Sequence, residues 1–290
     1  MEHESYPALY KSADCASIDA QSAYLRAIKI HIFLLVLGAG LAIRPQPTTE
    51  YLLFNAFVFL CALGISILIA SKKYEKSWYS ARAVAESVKT ATWRYMMKAE
   101  PFSDTEKRKE VNSIFRNMLN EILKTNNQLG DLLGGKISSD EQITNKMEDV
   151  RNHSLQDRKE IYLKSRIDEQ RKWYALKSSE NKRNGTKFFY FLVALQILAI
   201  MCVLLRIACP LWGVWPTDVF VVGAGGVVTW IQLKRFQEIA TAYGLTAHEI
   251  GIIRGMLAES DSEDEFSGFI RDAENVFSRE HTQWAAKHEL

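Results

Sequence analysis

Residues 51–70 read YLLFNAFVFLCALGISILIA, a run without a single formal charge. A helix needs about 20 apolar residues to cross the roughly 30 Å hydrocarbon layer of a bilayer, and in lipid the backbone amides can bond only within the helix. Residues 188–205 (FFYFLVALQILAIMCVLL) form a second run of this kind. These two runs predict two membrane-spanning helices.

Two further apolar runs, 30–43 and 217–233, are shorter. The first reaches spanning length if it starts at Ala27 and Lys29 extends its ammonium to the membrane surface, and the second does so if Asp218 lies at a membrane face. The sequence therefore predicts an all-α membrane protein with spans at about 27–43, 51–70, 188–207 and 217–233. The alternative is a pair of buried hairpins in a large helical protein.

The average composition hides the separation of apolar runs from highly charged stretches. The 290 residues are 48% hydrophobic, with a formal net charge of +2 and a mean hydropathy of -0.12. These averages alone would suit a protein of one or two domains without spans. Charge is crowded into residues 72–187 instead, so the local pattern decides the class of protein.

The distribution of lysine and arginine predicts the topology. Basic residues precede the first and third spans and follow the second and fourth, whereas the connecting loops at 44–50 and 206–216 hold only Arg44 and Arg206. By the positive-inside rule, both termini and the central region are cytoplasmic. The spans then form two hairpins with short loops outside. A cleavable signal peptide is not expected, because the first apolar run begins far from the N-terminus.

Amphipathic helices are predicted outside the spans. In 72–98 an apolar stripe at three- and four-residue steps runs from Trp78 to Tyr95, and Pro101 ends this helix. Ser103 and Glu106 then form a capping-box pattern that predicts a second helix start. The stretch 141–183 is highly charged and lacks proline and glycine, and we interpret it as a solvated or coiled-coil-like helix.

The second half repeats this plan. After the fourth span come basic residues, a helix through Tyr243 and Met256, and a capping box at Ser262 and Glu265 that starts a last amphipathic helix. Two copies of a two-span unit suggest a pseudo-two-fold bundle with its axis along the membrane normal. The predicted organisation is a first unit at 1–136 with cytoplasmic helices at 72–133, a charged helical linker at 137–161, and a second unit at 162–290 with cytoplasmic helices at 234–288.

Particular residues in both halves resemble those of a known family. In WYSARAVAESVKTATWRYMMKAEPF (78–102) the likeness is carried by Trp78, Arg82, Glu86, Lys89, Trp93, Arg94, Pro101 and Phe102. In the second half it is carried by Arg166, Gln170 and Tyr174 and, in DAENVFSREHTQW (272–284), by Ser278, Arg279, Glu280, His281 and Trp284. With these residues, the first half resembles SLATT domains, the SMODS- and SLOG-associating two-transmembrane effector domains, and the second half resembles another branch of that family.

The resemblance implies a function. It implies a multi-pass protein of the bacterial inner membrane that acts in a conflict or defence system and permeabilises the membrane when a nucleotide-sensing or nucleotide-synthesising partner protein detects infection or stress. This chain departs from the usual pattern, because two units share one chain and no recognisable sensor domain is attached. Nucleic acid is not an expected partner.

No catalytic, metal or cofactor site is predicted, and we do not expect an enzyme. Residues 130–136 (GDLLGGK) match part of a phosphate-binding loop, but Ile137 stands where Ser or Thr must bind magnesium, and a helix C-cap explains the glycines better. His281 and His288 would need zinc ligands from elsewhere. Neighbouring residues of a helix point about 100° apart, so Ser278 to His281 do not converge on one substrate, and helix pairing explains them better.

Polar residues inside the spans are the better functional candidates. The candidates for a pore or for contacts between helices are Gln196, Asn55, Ser66 and Asp218. Gln196 lies near the middle of the third span, where an unpaired amide is costly, whereas Asp218 also suits the first turn of a helix. Two functions stay open: a pore or membrane-disrupting effector, and a membrane-anchored helical scaffold that recruits cytoplasmic partners. Four spans with so few polar groups cannot line a channel, so a pore requires a homo-oligomer.

Overall fold

The computed structural model describes residues 3–104, 107–126, 141–209 and 211–286, and for 279–286 only the helical backbone. These residues are overwhelmingly helical and contain no strand. Four helical stretches within them are long and apolar enough to cross a membrane. The predicted all-α class with four spans is therefore confirmed.

The helices follow one another with short connections. Their bounds are α1 Ala8–Leu41, α2 Thr49–Lys72, α3 Tyr74–Met96, α4 Arg108–Thr125, α5 Asn145–Asn152, α6 Leu155–Tyr162, α7 Glu169–Ala208, α8 Thr217–Lys234, α9 Phe236–Met256 and α10 Glu263–Ala286. A π-helical turn, Leu163–Asp168, joins α6 to α7. The four predicted spans lie in α1, α2, α7 and α8.

A basic residue in the left-handed conformation follows each of the helices α2 and α8. Lys73 has a φ of 46° after α2, and Arg235 has a φ of 44° after α8. Each residue ends its helix and lets a new helix start at the next residue. This is the basic turn that the sequence places at corresponding points of the two halves, while the two-fold bundle stays a prediction.

The chain divides into two compact units that alternate along the sequence. The polar unit comprises 1–22, 74–173 and 246–290, and the span unit comprises 23–73 and 174–245. Both halves of the sequence contribute to each unit. The predicted boundaries at 136, 137–161 and 162 stay a prediction.

Glycines bring helices of the span unit close together. A Cβ added at Gly38 of α1 would lie 2.7 Å from the Phe59 ring of α2, and one added at Gly226 of α8 would lie 2.6 Å from Ile32 Cγ2 of α1. Contacts this short exclude any larger residue unless the neighbour moves. Gly225, by contrast, has open space at its Cβ position. Of these two neighbouring glycines, only Gly226 is therefore required for close packing.

Helix α3 is the centre of the polar unit. Its predicted stripe is buried from Ala81 through Val88 to Tyr95, and α4, α5 and α10 pack against it, with α10 covering it most extensively. Trp78 departs from the prediction, because it is only half-buried. The capping box of α10 is confirmed: the Glu265 N–H donates to Ser262 Oγ at 3.2 Å, and the Ser262 N–H donates to Glu265 Oε2 at 3.1 Å.

The predicted helix start at Ser103 is wrong. Helix α4 begins at Arg108, and Lys107 occupies the N-cap without a side-chain hydrogen bond. Asp104 explains the delay, because its carboxylate pairs with Lys98 and Arg151 and so holds the chain in a turn. Glu106 lies outside the described residues.

The solvated, coiled-coil-like helix expected over 141–183 is wrong for the first part of that stretch. The chain breaks between α5 and α6, where Ser154 caps α6 by accepting from the Asp157 N–H at 3.2 Å. Met147 and Tyr162 are fully buried, and so are the guanidinium groups of Arg151 and Arg158. Residues 141–168 therefore contribute to the core of the polar unit, whereas 169–183 is part of one helix and is largely exposed.

Candidate functional site

Three charged residues of the tryptophan-rich run form a chain of ion pairs. Arg82 Nη2 lies 2.6 Å from Glu86 Oε1, one helical turn along α3, and Lys89 Nζ lies 3.9 Å from Glu86 Oε2. Arg82 also donates to Asp14 Oδ1 of α1 at 3.2 Å, and Asp14 Oδ2 lies 3.2 Å from His3 Nε2. The motif spacing thus serves to bind α1 to α3.

Trp93 is the buried anchor of the same run. Its side chain has no exposed surface, its Nε1 donates to Tyr6 Oη at 3.1 Å, and its ring meets the Tyr162 ring edge-on at 5.6 Å. Burial raises the pKa of Tyr6 to about 12, so its hydroxyl keeps its proton at neutral pH. Trp93 therefore joins three segments of the chain at one point.

Pro101 and Phe102 lie in the turn that follows α3. Phe102 is fully buried, with its ring 5.9 Å from Tyr95 and 5.7 Å from Phe115 of α4. Its carbonyl accepts from Arg151 Nη2 at 2.8 Å. The motif residues here hold α4 and α5 against the C-terminal end of α3.

Arg151 and Arg158, which the sequence analysis missed, lie at this same end of α3. Arg151 Nη1 donates to the Tyr95 carbonyl at 2.5 Å, and Arg158 Nη1 donates to the Met97 carbonyl at 2.8 Å. These carbonyls are at the negative end of the α3 dipole, where a cation is favoured. The two arginines lie in different helices, α5 and α6, so their seven-residue spacing is not a helical repeat and no local signal in the sequence reveals them.

Acidic partners complete both arginine contacts. Arg158 Nη2 pairs with Glu263 at the start of α10, and Arg151 Nη2 donates to Asp104 Oδ1 at 2.6 Å. Burial opposes ionisation of Asp104, but the ammonium of Lys98 and the guanidinium of Arg151 outweigh it and hold the pKa of Asp104 below its ordinary value. Asp104 is therefore ionised at neutral pH.

A buried ion pair joins Arg166 to Glu274 of α10. Arg166 Nε and Nη2 donate to Glu274 Oε1 and Oε2 at 2.8 and 2.7 Å, and Tyr162 Oη donates to Oε1 at 2.9 Å. The Arg166 guanidinium also lies 4.7 Å from the centre of the Phe277 ring. Burial alone would lower the pKa of Arg166, but the adjacent Glu274 carboxylate raises it above its ordinary value. Arg166 came from the family likeness, whereas Glu274 was not identified.

The terminal run is described only in part. Ser278 lies one turn after Glu274 and is half-buried. The side chains of Arg279, Glu280, His281 and Trp284 lie outside the described residues, as do 130–136 and His288. The predicted roles of these residues stay predictions.

The polar residues of the spans lie apart, and no hydrogen bond between described residues joins any two of the four candidates. Gln196 is exposed on α7 and has no partner within the described chain. Asn55 Oδ1 is buried without a hydrogen bond. Asp218 is an exposed acid in the first turn of α8, where the helix dipole favours it.

Ser66 contacts His31, a residue that the sequence analysis did not identify. Its hydroxyl donates to the Ala62 carbonyl at 3.2 Å and lies 3.4 Å from His31 Nδ1. His31 Nδ1 in turn lies 3.3 Å from the same carbonyl. A histidine inside the apolar run 30–43 is a signal that could have been recognised in the sequence. In the structure, His31 joins the first two spans.

Two family models match the chain one after the other. Residues 7–159, just over half of the chain, match SMODS and SLOG-associating 2TM effector domain 3. Residues 162–284 match SMODS and SLOG-associating 2TM effector domain 1. No curated protein and no solved structure matches the chain.

Proposed function

Because the chain belongs to the SLATT family of two-transmembrane effector domains and carries two of them in tandem, we propose that it is a membrane effector of a bacterial conflict system that permeabilises the inner membrane as a homo-oligomer. The proposed action is physical and not enzymatic. The proposed trigger is a separate nucleotide-sensing or nucleotide-synthesising protein, in keeping with the family description. Both termini are proposed to be cytoplasmic, from the distribution of lysine and arginine.

The exposure of Gln196 carries the oligomer proposal. This amide projects from the third span, near its middle, without a hydrogen-bond partner in the described part of one chain. An unpaired amide in hydrocarbon costs several kcal/mol, on the order of 4–8 by transfer to a solvent that cannot hydrogen-bond. A second copy of the chain, or water in a path between copies, would remove that cost.

The surface around Gln196 suits such an assembly. None of the most apolar window of the third span is buried within one chain, whereas the other spans each bury part of theirs. Ile200 and Val203 follow Gln196 on the same side of α7 and are also exposed. A face with one polar group among apolar ones can pack against another copy and align it through that group.

A pore within one copy has little support. Ser66 is bonded to its own helix and to His31, and Thr229 Oγ1 donates to the Gly225 carbonyl at 3.0 Å. Hydroxyls used in this way offer ions no continuous polar lining. The proposed path therefore lies between copies.

Gln196→Leu tests the proposal in one substitution. It keeps the approximate size and removes the amide, so it should weaken the oligomer if Gln196 joins helices, or reduce conductance with the oligomer intact if Gln196 lines the pore. Crosslinking in membranes measures assembly, and membrane depolarisation in cells and dye release from liposomes measure leakage. Gln232→Leu is the matched control, because Gln232 lies in the last turn of α8, where water can satisfy an amide.

The outcome can also favour the second function. A scaffold that recruits cytoplasmic partners is supported by the small number of polar groups in the spans and by the size of the polar unit. If wild-type protein, verified as inserted and oligomeric, neither depolarises cells nor releases dye with any nucleotide or partner supplied, the effector proposal is refuted and the scaffold takes its place.

A further inference from the structure

The polar unit contains a small pocket between α1, α3 and the start of α7. Its volume is about 140 Å³, and it is lined by His3, Tyr6, Tyr10, Lys89, Ser165, Arg166, Glu169 and Gln170. All of these residues belong to the polar unit. A cavity of roughly 150 Å³ holds a molecule the size of benzene, so this pocket can hold one small group.

Arg166 brings an unused donor to this pocket. Its Nε and Nη2 are bonded to Glu274, but Nη1 is buried without a hydrogen-bond partner in the described structure. The whole side chain is only 2% exposed. A buried charged donor without a partner is costly, and a bound anion would satisfy it.

Lys89 brings a second cation that is poorly paired. Its side chain is 14% exposed, and among the described residues its ammonium forms one ion pair, with Glu86, at the long distance of 3.9 Å. Burial lowers the pKa of Lys89, and the Glu86 carboxylate only partly opposes this. An anion in the pocket would favour the charged form of Lys89.

The remaining lining groups add donors more than acceptors. Tyr6 Oη already accepts from Trp93 and retains its own proton, since burial raises its pKa to about 12. Gln170 supplies an amide, whose nitrogen donates. Glu169 is the carboxylate of the lining, and it is exposed, so water screens its charge. The acid nearest to Arg166, Glu274, already accepts hydrogen bonds at both oxygens.

We propose that this pocket binds a phosphoryl group, as inorganic phosphate or as the phosphate of a small molecule or lipid headgroup, with Arg166 and Lys89 as its charged donors and Tyr6 and Gln170 as neutral ones. A tetrahedral anion fits because the two cations come from different elements, α3 and the π-helical turn, and address different oxygens. Arginine is the side chain best suited to phosphate oxygens. The inference does not depend on whether the protein forms a pore.

Calorimetry and thermal unfolding of the full chain in detergent test the site. Inorganic phosphate and a nucleoside monophosphate are the probes, and chloride at matched ionic strength is the reference. Phosphate should raise the unfolding temperature beyond the chloride reference. Lys89→Gln should weaken binding by about tenfold or more, because it removes a charge-assisted hydrogen bond, and Lys89→Arg should retain much of it. Lys124→Gln, at an exposed lysine of α4, is the control and should bind as wild type does.

The binding measurements decide whether the pocket binds phosphate, and competition with a lipid decides whether the phosphate is free or part of a headgroup. If phosphate stabilises no more than chloride, or if Lys89→Gln binds as well as wild type, the proposal is refuted. Should Lys89→Gln fail to fold, Gln170→Leu takes its place, with a smaller expected loss of about threefold because it removes a neutral hydrogen bond, and wild-type binding by that variant would refute the proposal. In nanodiscs, phosphatidic acid that competes with inorganic phosphate identifies a lipid headgroup as the source, and phosphate binding that is unaffected by phosphatidic acid identifies a free phosphate.

Discussion

Removing either member of the Arg166–Glu274 pair should destabilise the polar unit severely. Arg166→Met would leave the Glu274 carboxylate, which is 0% exposed, with a hydrogen bond from Tyr162 alone. Glu274→Leu would leave the guanidinium buried without its carboxylate. Because both groups are buried, each single substitution should cost about 3–5 kcal/mol of unfolding free energy.

The double variant separates this cost from the value of the pair itself. Arg166→Met with Glu274→Leu removes both charges and fills the space with apolar side chains, an exchange that is often neutral or stabilising. We therefore expect the double variant to be more stable than either single variant. The coupling energy of the cycle should therefore exceed the loss in either single variant, and so be at least about 3 kcal/mol, the upper end for residues in contact.

Thermal and denaturant unfolding of purified protein in detergent provide the measurement. At about 2–4 °C per kcal/mol for a protein of this size class, the single variants should lower the midpoint by about 6–20 °C. Glu121→Gln is the control, since Glu121 pairs with Lys124 at 2.8 Å with both side chains about 70% exposed. An exposed pair is worth under about 1 kcal/mol, so this variant should unfold almost as wild type does.

Additivity would refute the reasoning. If the losses of the two single variants sum to that of the double variant, the ion pair contributes no coupling and its burial is not what makes it matter. Single variants that lose no more stability than Glu121→Gln would lead to the same conclusion.

Three further predictions follow from other parts of the molecule. The pKa of Asp104 in the folded protein lies below its ordinary value, so the carboxylate's contribution to stability is complete above the unfolded-state pKa and is lost as the pH falls through the folded-state pKa. Asp104→Asn should therefore be less stable than wild type at pH 7. Unfolding curves recorded at decreasing pH should show this difference in stability disappear. Gly226→Ala should lower the unfolding free energy by about 1–3 kcal/mol, because the added methyl group overpacks the contact with α1. Gly225→Ala should be tolerated, because the space at its Cβ position is open. Equal losses of stability in the two variants would contradict this account of the packing. In a variant whose four native cysteines are replaced by alanine, a cysteine at Gly213 should react with an impermeant thiol reagent in intact cells and one at Glu121 only after lysis. Labelling of position 121 in intact cells would overturn the topology.

The sequence determined what depends on local pattern and on the solvent. The length of the apolar runs at 51–70 and 188–205 suffices for a span, because the hydrocarbon layer imposes its thickness on any helix. The stripe through Val88 and Tyr95 identified a buried face because helical spacing alone puts these residues on one side. Ser262 with Glu265 marked a helix start because the cap is made within one turn.

Only the tertiary structure decided the roles of the charged residues. In sequence, Arg151 and Arg158 are indistinguishable from solvated arginines, since the carbonyls that receive them belong to the end of α3. Arg166 and Glu274 are 108 residues apart, and no local rule pairs them. Gln196 could have faced either a neighbouring helix or lipid until the packing of the spans left it exposed. In each case the energy of a polar group is set by whichever distant segment covers it, and that becomes fixed only when the helices pack.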